Sequence, residues 1–187
     1  MRTFVALNLP HDERVRLHAT LEPLRAKRLP VRWVAADALH VTVKFLGDTE
    51  GEAVGAVDDV LRTAVARRSV MTLRIGGIGA FPSLRRANII WVGVTGDDEL
   101  AALQRELEPA LSRLGFPRDQ RPFRPHITVG RLRSGMRPLD IERTGGLVDY
   151  EARIEVETVE LMQSVMGPGG LRYEVLLRRR LGEKEEL

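Results

Sequence analysis

The stretch Leu39-His40-Val41-Thr42-Val43-Lys44-Phe45-Leu46-Gly47 decides how this chain is read, because Arg124-Pro125-His126-Ile127-Thr128-Val129-Gly130-Arg131 repeats its core. Both contain His, a β-branched apolar residue, Thr and Val in that order. Such residues suit a pleated strand, and strand side chains alternate between faces. His40 and Thr42 are therefore expected on one face, with Val41, Val43 and Phe45 on the other. His126 and Thr128 likewise share a face opposite Ile127 and Val129. Each copy offers an imidazole and a hydroxyl about 7 Å apart along its strand, and its apolar residues tie that strand to a core.

Two facing strands of this kind can divide a proton-transfer task. A neutral imidazole takes a proton from attacking water, and a protonated one gives a proton to a leaving oxygen. Histidine suits both roles because its ordinary pKa lies near neutrality. Threonine hydroxyls can hydrogen-bond an anion held between the strands. That combination fits cleavage of a phosphodiester, the simplest case being a strained cyclic phosphate. One His-x-Thr-x tetrad would be an ordinary strand. The sequence has four histidines, however, and two of them fall in matching tetrads. A metal site is the first rival, since histidine is a common zinc ligand. Against it, the sequence has no cysteine and neither tetrad holds a carboxylate. A serine hydrolase is disfavoured by the lack of a Gly-x-Ser-x-Gly elbow.

With 187 residues and 43% hydrophobic content the chain can bury one substantial core, or two small lobes sharing one. A formal net charge of +3 permits an anionic substrate without demanding one. The lack of cysteine fits a reducing compartment. We find no cleavable signal and no apolar run of the roughly 18 residues that a membrane span requires. A cytoplasmic protein, acting as a monomer and away from membranes, is the expectation.

Along the chain, residues 2 to 9 read as a strand. A helix follows with Asp12 as its cap and Leu17, Leu21 and Leu24 on one face, complicated by Pro23. Residues 32 to 34 form a short strand, and the first tetrad strand covers 39 to 46. Residues 52 to 68 read as a helix through Val54, Val57, Leu61 and Val65. Strands are expected at 71 to 75 and 88 to 94, separated by a loop at Gly76-Gly77 and Phe81-Pro82. The second run looks buried on both faces. Asp97 and Asp98 open a helix over 97 to 115, with Leu100, Leu103, Leu107 and Leu111 as its stripe and Pro109 as a flaw. The second tetrad strand covers 126 to 132. A connector with a short helix fills 134 to 148, and strands at 152 to 164 and 171 to 177 close the chain before a frayed, charged tail from 178. Each tetrad follows a strand-helix arrangement. The expected fold is therefore α+β: one bilobal domain over 1 to 187, two antiparallel-rich sheets backed by helices, pseudo-twofold symmetry and a central cleft.

The doubled tetrad resembles the two-histidine phosphoesterases, and among them the RNA 2′,3′-cyclic phosphodiesterases formerly called 2′-5′ RNA ligases. The opening Met1 to Pro10, Arg32-Trp33-Val34, Phe45-Leu46-Gly47-Asp48 and Pro125 to Arg131 carry further likeness. The resemblance implies a bilobal fold with the site between the lobes. It implies hydrolysis of a terminal 2′,3′-cyclic phosphate on RNA, tRNA-derived ends included, to a 2′-phosphate without metal or other cofactor. It also implies His40 as proton donor and His126 as acceptor, roles that the sequence itself leaves interchangeable. Thr42 and Thr128 are expected on the non-bridging phosphate oxygens.

Arg131 lies five positions after His126, where the family pattern also carries arginine. Strict alternation turns it away from His126, unless a bulge at Gly130 brings it round. Lys44 reads as a solvated residue. Phe4, Trp33 and Phe81 are candidates for stacking on an unpaired base, with core packing preferred for Phe4 and also for Phe45. Two further functions compete: the reverse reaction, forming a 2′-5′ linkage, and a non-catalytic RNA-binding module.

Overall fold

The computed structural model describes residues 1–96, 98–143, 149–167 and 170–183. Strand β1 (Arg2–Asn8) leads into α1 (His11–Thr20) and a single turn, α2 (Glu22–Arg25). Pro23 stands in the first turn of α2, where its missing N–H costs nothing. The expected single helix is thus two, although Leu17, Leu21 and Leu24 are all buried as expected. Pro10, not Asp12, occupies the N-cap of α1, and no side chain caps it; Asp12 instead places its charge in the first turn.

Strand β2 (Val31–Trp33) and a 3₁₀ turn at Ala36–Ala38 precede the first tetrad strand, β3 (His40–Asp48). Helix α3 (Ala53–Ala66) buries Val57, Leu61 and Val65. Strands β4 (Met71–Phe81) and β5 (Ile89–Gly96) form an antiparallel pair. The Gly76-Gly77 loop read from the sequence is instead a bulge inside β4: Gly76 pairs with Gly93, Ile78 with Val92, and Gly77 has no partner. Helix α4 (Asp98–Arg113) follows, with its four leucines buried and Pro109 inside it; Asp97 lies outside the described residues. The second tetrad strand is β6 (His126–Leu132), with the boundaries read from the sequence.

The closing segment differs from expectation. The single strand placed at 152 to 164 is two, β7 (Glu151–Val156) and β8 (Thr158–Gly167), divided at Glu157. β7 pairs with β4, whereas β8 pairs with β1. β9 (Gly170–Arg180) extends well past 177, and the tail is not frayed up to Gly182. Arg179 is held by Asp58, Arg178 by Glu160 at 2.6 Å, and Leu181 is buried. The described part of the 134–148 connector contains no helix; Leu139 forms an isolated bridge to Ala87. Residues 144–148 lie outside the described residues.

All strand pairs among the described residues are antiparallel, in the order β7-β4-β5-β6-β3-β1-β8-β9, with β2 beside β6. The expected α+β, two-lobed architecture holds, with the two expected sheets joined edge to edge into one curled nine-stranded sheet among the described residues. One lobe is β7-β4-β5-β6 with β2, and the other is β3-β1-β8-β9. They meet at a seam where β3 and β6 pair at one position, Val41 with Ile127. A continuous apolar core under both lobes includes the leucines of α4, the valines of α3 and Val41, Val43, Ile127 and Val129. β5 is buried on one face only: Ile90, Val92 and Val94 enter the core, while Ile89, Trp91 and Gly93 do not. It is covered by helices on one side and borders the cleft on the other.

Lys44 corrects the sequence reading most sharply. Its side chain is wholly buried, and its ammonium donates to both Glu108 carboxylate oxygens at 3.0 and 2.9 Å and to the Pro117 carbonyl at 2.9 Å. Glu108 also accepts from the Gln104 amide at 3.2 Å and the Asp119 backbone N–H at 2.7 Å. The first tetrad strand, α4 and the loop after α4 are therefore locked through one carboxylate. Removing the cation leaves a largely buried charge unpaired, which costs more than a surface pair contributes. Lys44→Ala is expected to lower the unfolding free energy by roughly 2–3 kcal/mol in urea denaturation. A loss well under about 1 kcal/mol would place this pair among ordinary surface contacts.

Candidate active site

The two tetrad strands share an irregularity that builds the site. Across β1 and β3, Ala6 faces Thr42 and Val5 faces Lys44, so Val43 is unpaired. Across β5 and β6, Trp91 faces Thr128 and Ile90 faces Gly130, so Val129 is unpaired. Each strand thus carries a bulge three residues after its histidine, and the alternation slips by one. Beyond the bulge, Phe45 and Arg131 join the face that carries the histidines and threonines. This resolves Arg131: it lines the same cleft as His126 and Thr128, as a bulge beside Gly130 allows. Gly130 has a second reason to be glycine. A Cβ there would meet Val31 Cγ1 at 2.7 Å and the Trp33 ring at 3.0 Å, so β2 could not pack so closely.

His40, Thr42, His126, Thr128 and Arg131 line one cleft of about 770 Å³. Because Val41 pairs with Ile127 in antiparallel fashion, His40 stands across from Thr128 and Thr42 across from His126. The four residues mark a rectangle with the imidazoles on one diagonal. Diagonal neighbours of this kind are on the order of 8 Å apart at the backbone, close enough to bracket one small anion.

Both imidazoles are held in the same way. His40 Nδ1–H donates to the Ala38 carbonyl at 2.8 Å, and His126 Nδ1–H to the Arg124 carbonyl at 2.7 Å. A carbonyl can only accept, so each neutral ring carries its proton on Nδ1 and keeps its lone pair on Nε2. The Thr42 hydroxyl lies 3.2 Å from His40 Nε2 and donates to it. Aromatic rings fix the imidazole planes. Phe4 stacks on His40 at 4.9 Å and Tyr173 meets it edge-on at 4.9 Å. Phe81 meets His126 edge-on at 5.1 Å, with Trp91 at 6.0 Å.

The environments are unequal. Burial pushes the His40 pKa down to about 4, overriding the hydrogen bond to Ala38, and the Arg131 and His126 charges lower it further. At neutral pH His40 is therefore a neutral imidazole in the free protein. Tyr173 is pushed up by burial, with Arg131 opposing the shift. Arg131 thus reaches electrostatically across to the His40 side.

Of the stacking candidates, only Phe81 lines the cleft as a partly exposed ring. Phe4 is 2% exposed and supports His40 from within a small core, so its role is packing. Trp33 lies against Gly130 and is absent from the cleft lining. Phe45, expected in the core, is 59% exposed and faces the cleft because of the bulge. The sequence reading missed Tyr173, Arg121, Phe123 and Arg124, which complete the walls. Tyr173 was legible as a strand residue, but not its distant partner. Among the described residues no three His, Asp or Glu side chains are grouped to hold a metal ion, and no helix is long and apolar enough to cross a membrane.

With this geometry in hand, comparison with known proteins is decisive. The family model for the 2′-5′ RNA ligase superfamily matches residues 10–166. The chain belongs to this superfamily. It is 31% identical over 176 residues to the RNA 2′,3′-cyclic phosphodiesterase of Methanothermobacter thermautotrophicus, covering 92% of this chain and 95% of that one. Identity to the Escherichia coli RNA 2′,3′-cyclic phosphodiesterase is 31% over 181 residues, covering 95% and 94%. The crystal structure of Escherichia coli LigT complexed with 3′-AMP superposes with a TM-score of 0.76 at 28% identity, covering 97% of this chain and 98% of that one. A superfamily member is thus what the tetrads, bulges and cleft describe.

The low pKa of His40 has a consequence for stability. The unfolded histidine titrates near 6.5 and the native one near 4. Between these values the unfolded chain binds a proton that the native protein refuses, so stability falls as pH drops through this window. Between pH 7 and 4.5 the group is expected to withdraw about 2 kcal/mol. His40→Gln should lose that much less stability than the wild type over the same interval in urea titrations. Equal losses in both proteins would contradict the assignment.

Proposed function

We propose that the protein hydrolyses the 2′,3′-cyclic phosphate at the end of an RNA to a 2′-phosphomonoester, with His40 and His126 as the proton-transfer pair. The observation that carries this is the diagonal placement of His40 and His126 on paired antiparallel strands that line one cleft. The names of the aligned relatives and the 3′-AMP complex of LigT support the choice of substrate. The entire chain acts as one domain in this reading, since a single core underlies both lobes.

The chemistry follows from the geometry. The cyclic phosphate sits between the tetrads, with the Thr42 and Thr128 hydroxyls and the Arg131 guanidinium on its non-bridging oxygens. These donors aim at charge that grows as phosphorus becomes five-coordinate. Water attacks phosphorus from one side and gives its proton to one imidazole. The bond to the ribose 3′ oxygen breaks on the other side, and that oxygen takes a proton from the second imidazole. Attack and departure are in line, which requires base and acid on opposite sides of phosphorus, as the diagonal provides. Proton exchange with solvent resets both rings.

In this reading His40 is the donor and His126 the acceptor, as the family resemblance of the tetrads implies. The free protein keeps His40 neutral at pH 7, with a pKa of about 4. In the donor role His40 must therefore gain its proton with the substrate, whose negative phosphate has to offset the burial, and with it the Arg131 charge, that hold the free ring neutral. The pH dependence of kcat/KM, which reports the free enzyme, separates the roles. An essential acid at about 4 gives a limb that descends from that pH upward. An essential base at about 4 gives a limb that rises through that pH to a plateau, and would reverse the assignment.

Removing either imidazole should lower kcat/KM for a cyclic-phosphate-ended oligonucleotide about 10²- to 10⁴-fold. His40→Ala and His126→Ala assayed with product identification make the test. Wild-type rates in both variants would end the two-imidazole mechanism, and a 3′-phosphate product would reverse which ribose oxygen leaves.

A further inference from the structure

The cleft face of the first lobe continues well beyond the catalytic residues. Antiparallel pairing places His126, Gly93, Gly76 and Glu151 in one row across β6, β5, β4 and β7. The adjoining row holds Thr95, Arg74 and Arg153, each directly across from the next. The Val94 N–H donates to the Pro125 carbonyl at 3.3 Å, which sets Arg124 beside Thr95 at the start of that second row. One row is floored by two glycines, and the next carries arginines. All lie on the face that presents His126 and Thr128.

Arg74 and Arg153 are exposed, directly opposed cations. Like charges facing each other across strands are destabilising. Neither guanidinium has an ion pair or hydrogen bond among the described residues. They line a second cavity of about 560 Å³, together with Thr95, the backbone around Gly76 and Glu151. Glu151 places one carboxylate at its edge, and its backbone carbonyl accepts from Arg16 at 3.1 Å. Two arginines against one glutamate leave the cavity positive. Arg124 belongs to the wall of the catalytic cleft, so it links the two cavities. By strand spacing, Arg74 lies roughly 12 Å and Arg153 roughly 16 Å from His126 at the backbone. That exceeds the reach of a mononucleotide's own phosphate but suits the chain leading to it.

We propose that the Arg74–Arg153 cavity binds backbone phosphates of a single-stranded RNA a few nucleotides before its cyclic-phosphate end, giving the enzyme a preference for oligonucleotides over cyclic mononucleotides. This rests on the RNA-end activity above. Arginine forks suit phosphate oxygens, and an incoming phosphate relieves the repulsion between the opposed cations.

The test uses Arg74→Gln/Arg153→Gln, with Arg74→Lys/Arg153→Lys as the charge-retaining control. Two substrates are compared: a 2′,3′-cyclic mononucleotide and a single-stranded oligonucleotide ending in the same group. Binding of an oligonucleotide ending in a 2′-phosphate is followed separately by fluorescence anisotropy. The Gln variant is expected to raise KM for the oligonucleotide about tenfold and leave the mononucleotide unchanged. The slope of log affinity against log salt should flatten by about 0.7 for each phosphate that is no longer neutralised. The Lys variant should retain most of the binding and the salt slope. Equal loss on both substrates, or unchanged oligonucleotide binding, overturns the subsite. Failure of the wild type to cleave either substrate overturns the activity instead, and the anisotropy measurement still decides the subsite.

Discussion

The structure depends on one thin seam. β3 and β6 pair at Val41 and Ile127 and nowhere else among the described residues. Both residues are fully buried. That pairing is the strand contact, among the described residues, between two lobes that share one apolar core and whose internal pairings are far more extensive. It also sets the relative register of the two tetrads, because a slip by one residue would turn one set of polar side chains into the core. The apolar members of each tetrad thus enter the core, and the polar members line the cleft. Each of the two strands is further constrained by its bulge. Without the slip at Val129, Arg131 would face the core side; without that at Val43, Lys44 would face the cleft.

Much of this was legible in the sequence. The tetrad strands, the helices over Ala53–Ala66 and Asp98–Arg113 and the α+β class follow from period and composition. The face shared by each His and Thr follows from alternation alone. What escaped is what alternation cannot contain. A bulge is a pairing fact, and it decides the fate of Lys44, Phe45 and Arg131. Gly130 signalled one bulge, whereas Val43 gives no sign of the other. The division of 152–164 at Glu157 is also invisible locally, since the partners of β7 and β8 lie in different lobes. Buried charge pairs such as Lys44 with Glu108 join residues 64 apart and have no local signature.

Electrostatics then distinguishes two sites that look alike on paper. Both imidazoles are held through Nδ1 by a carbonyl two residues earlier. His40 is enclosed by Phe4 and Tyr173, and burial depresses its pKa to about 4. At the positions that follow the bulges, one strand carries Phe45 and the other Arg131. The near-symmetric scaffold therefore presents an asymmetric pocket, with a cation on one side and an aromatic ring on the other. The proposed hydrolysis, with one water entering and one ribose oxygen leaving, is asymmetric in the same way.

The most direct test of a shared anion pocket is an NMR titration of both imidazole Nε2 signals with a nucleoside 2′-phosphate at pH 7. Perturbation of His40 and His126 together, along curves that give one common Kd, is the expected result. Movement of only one ring, or two unrelated binding constants, would contradict a pocket formed jointly by the two strands.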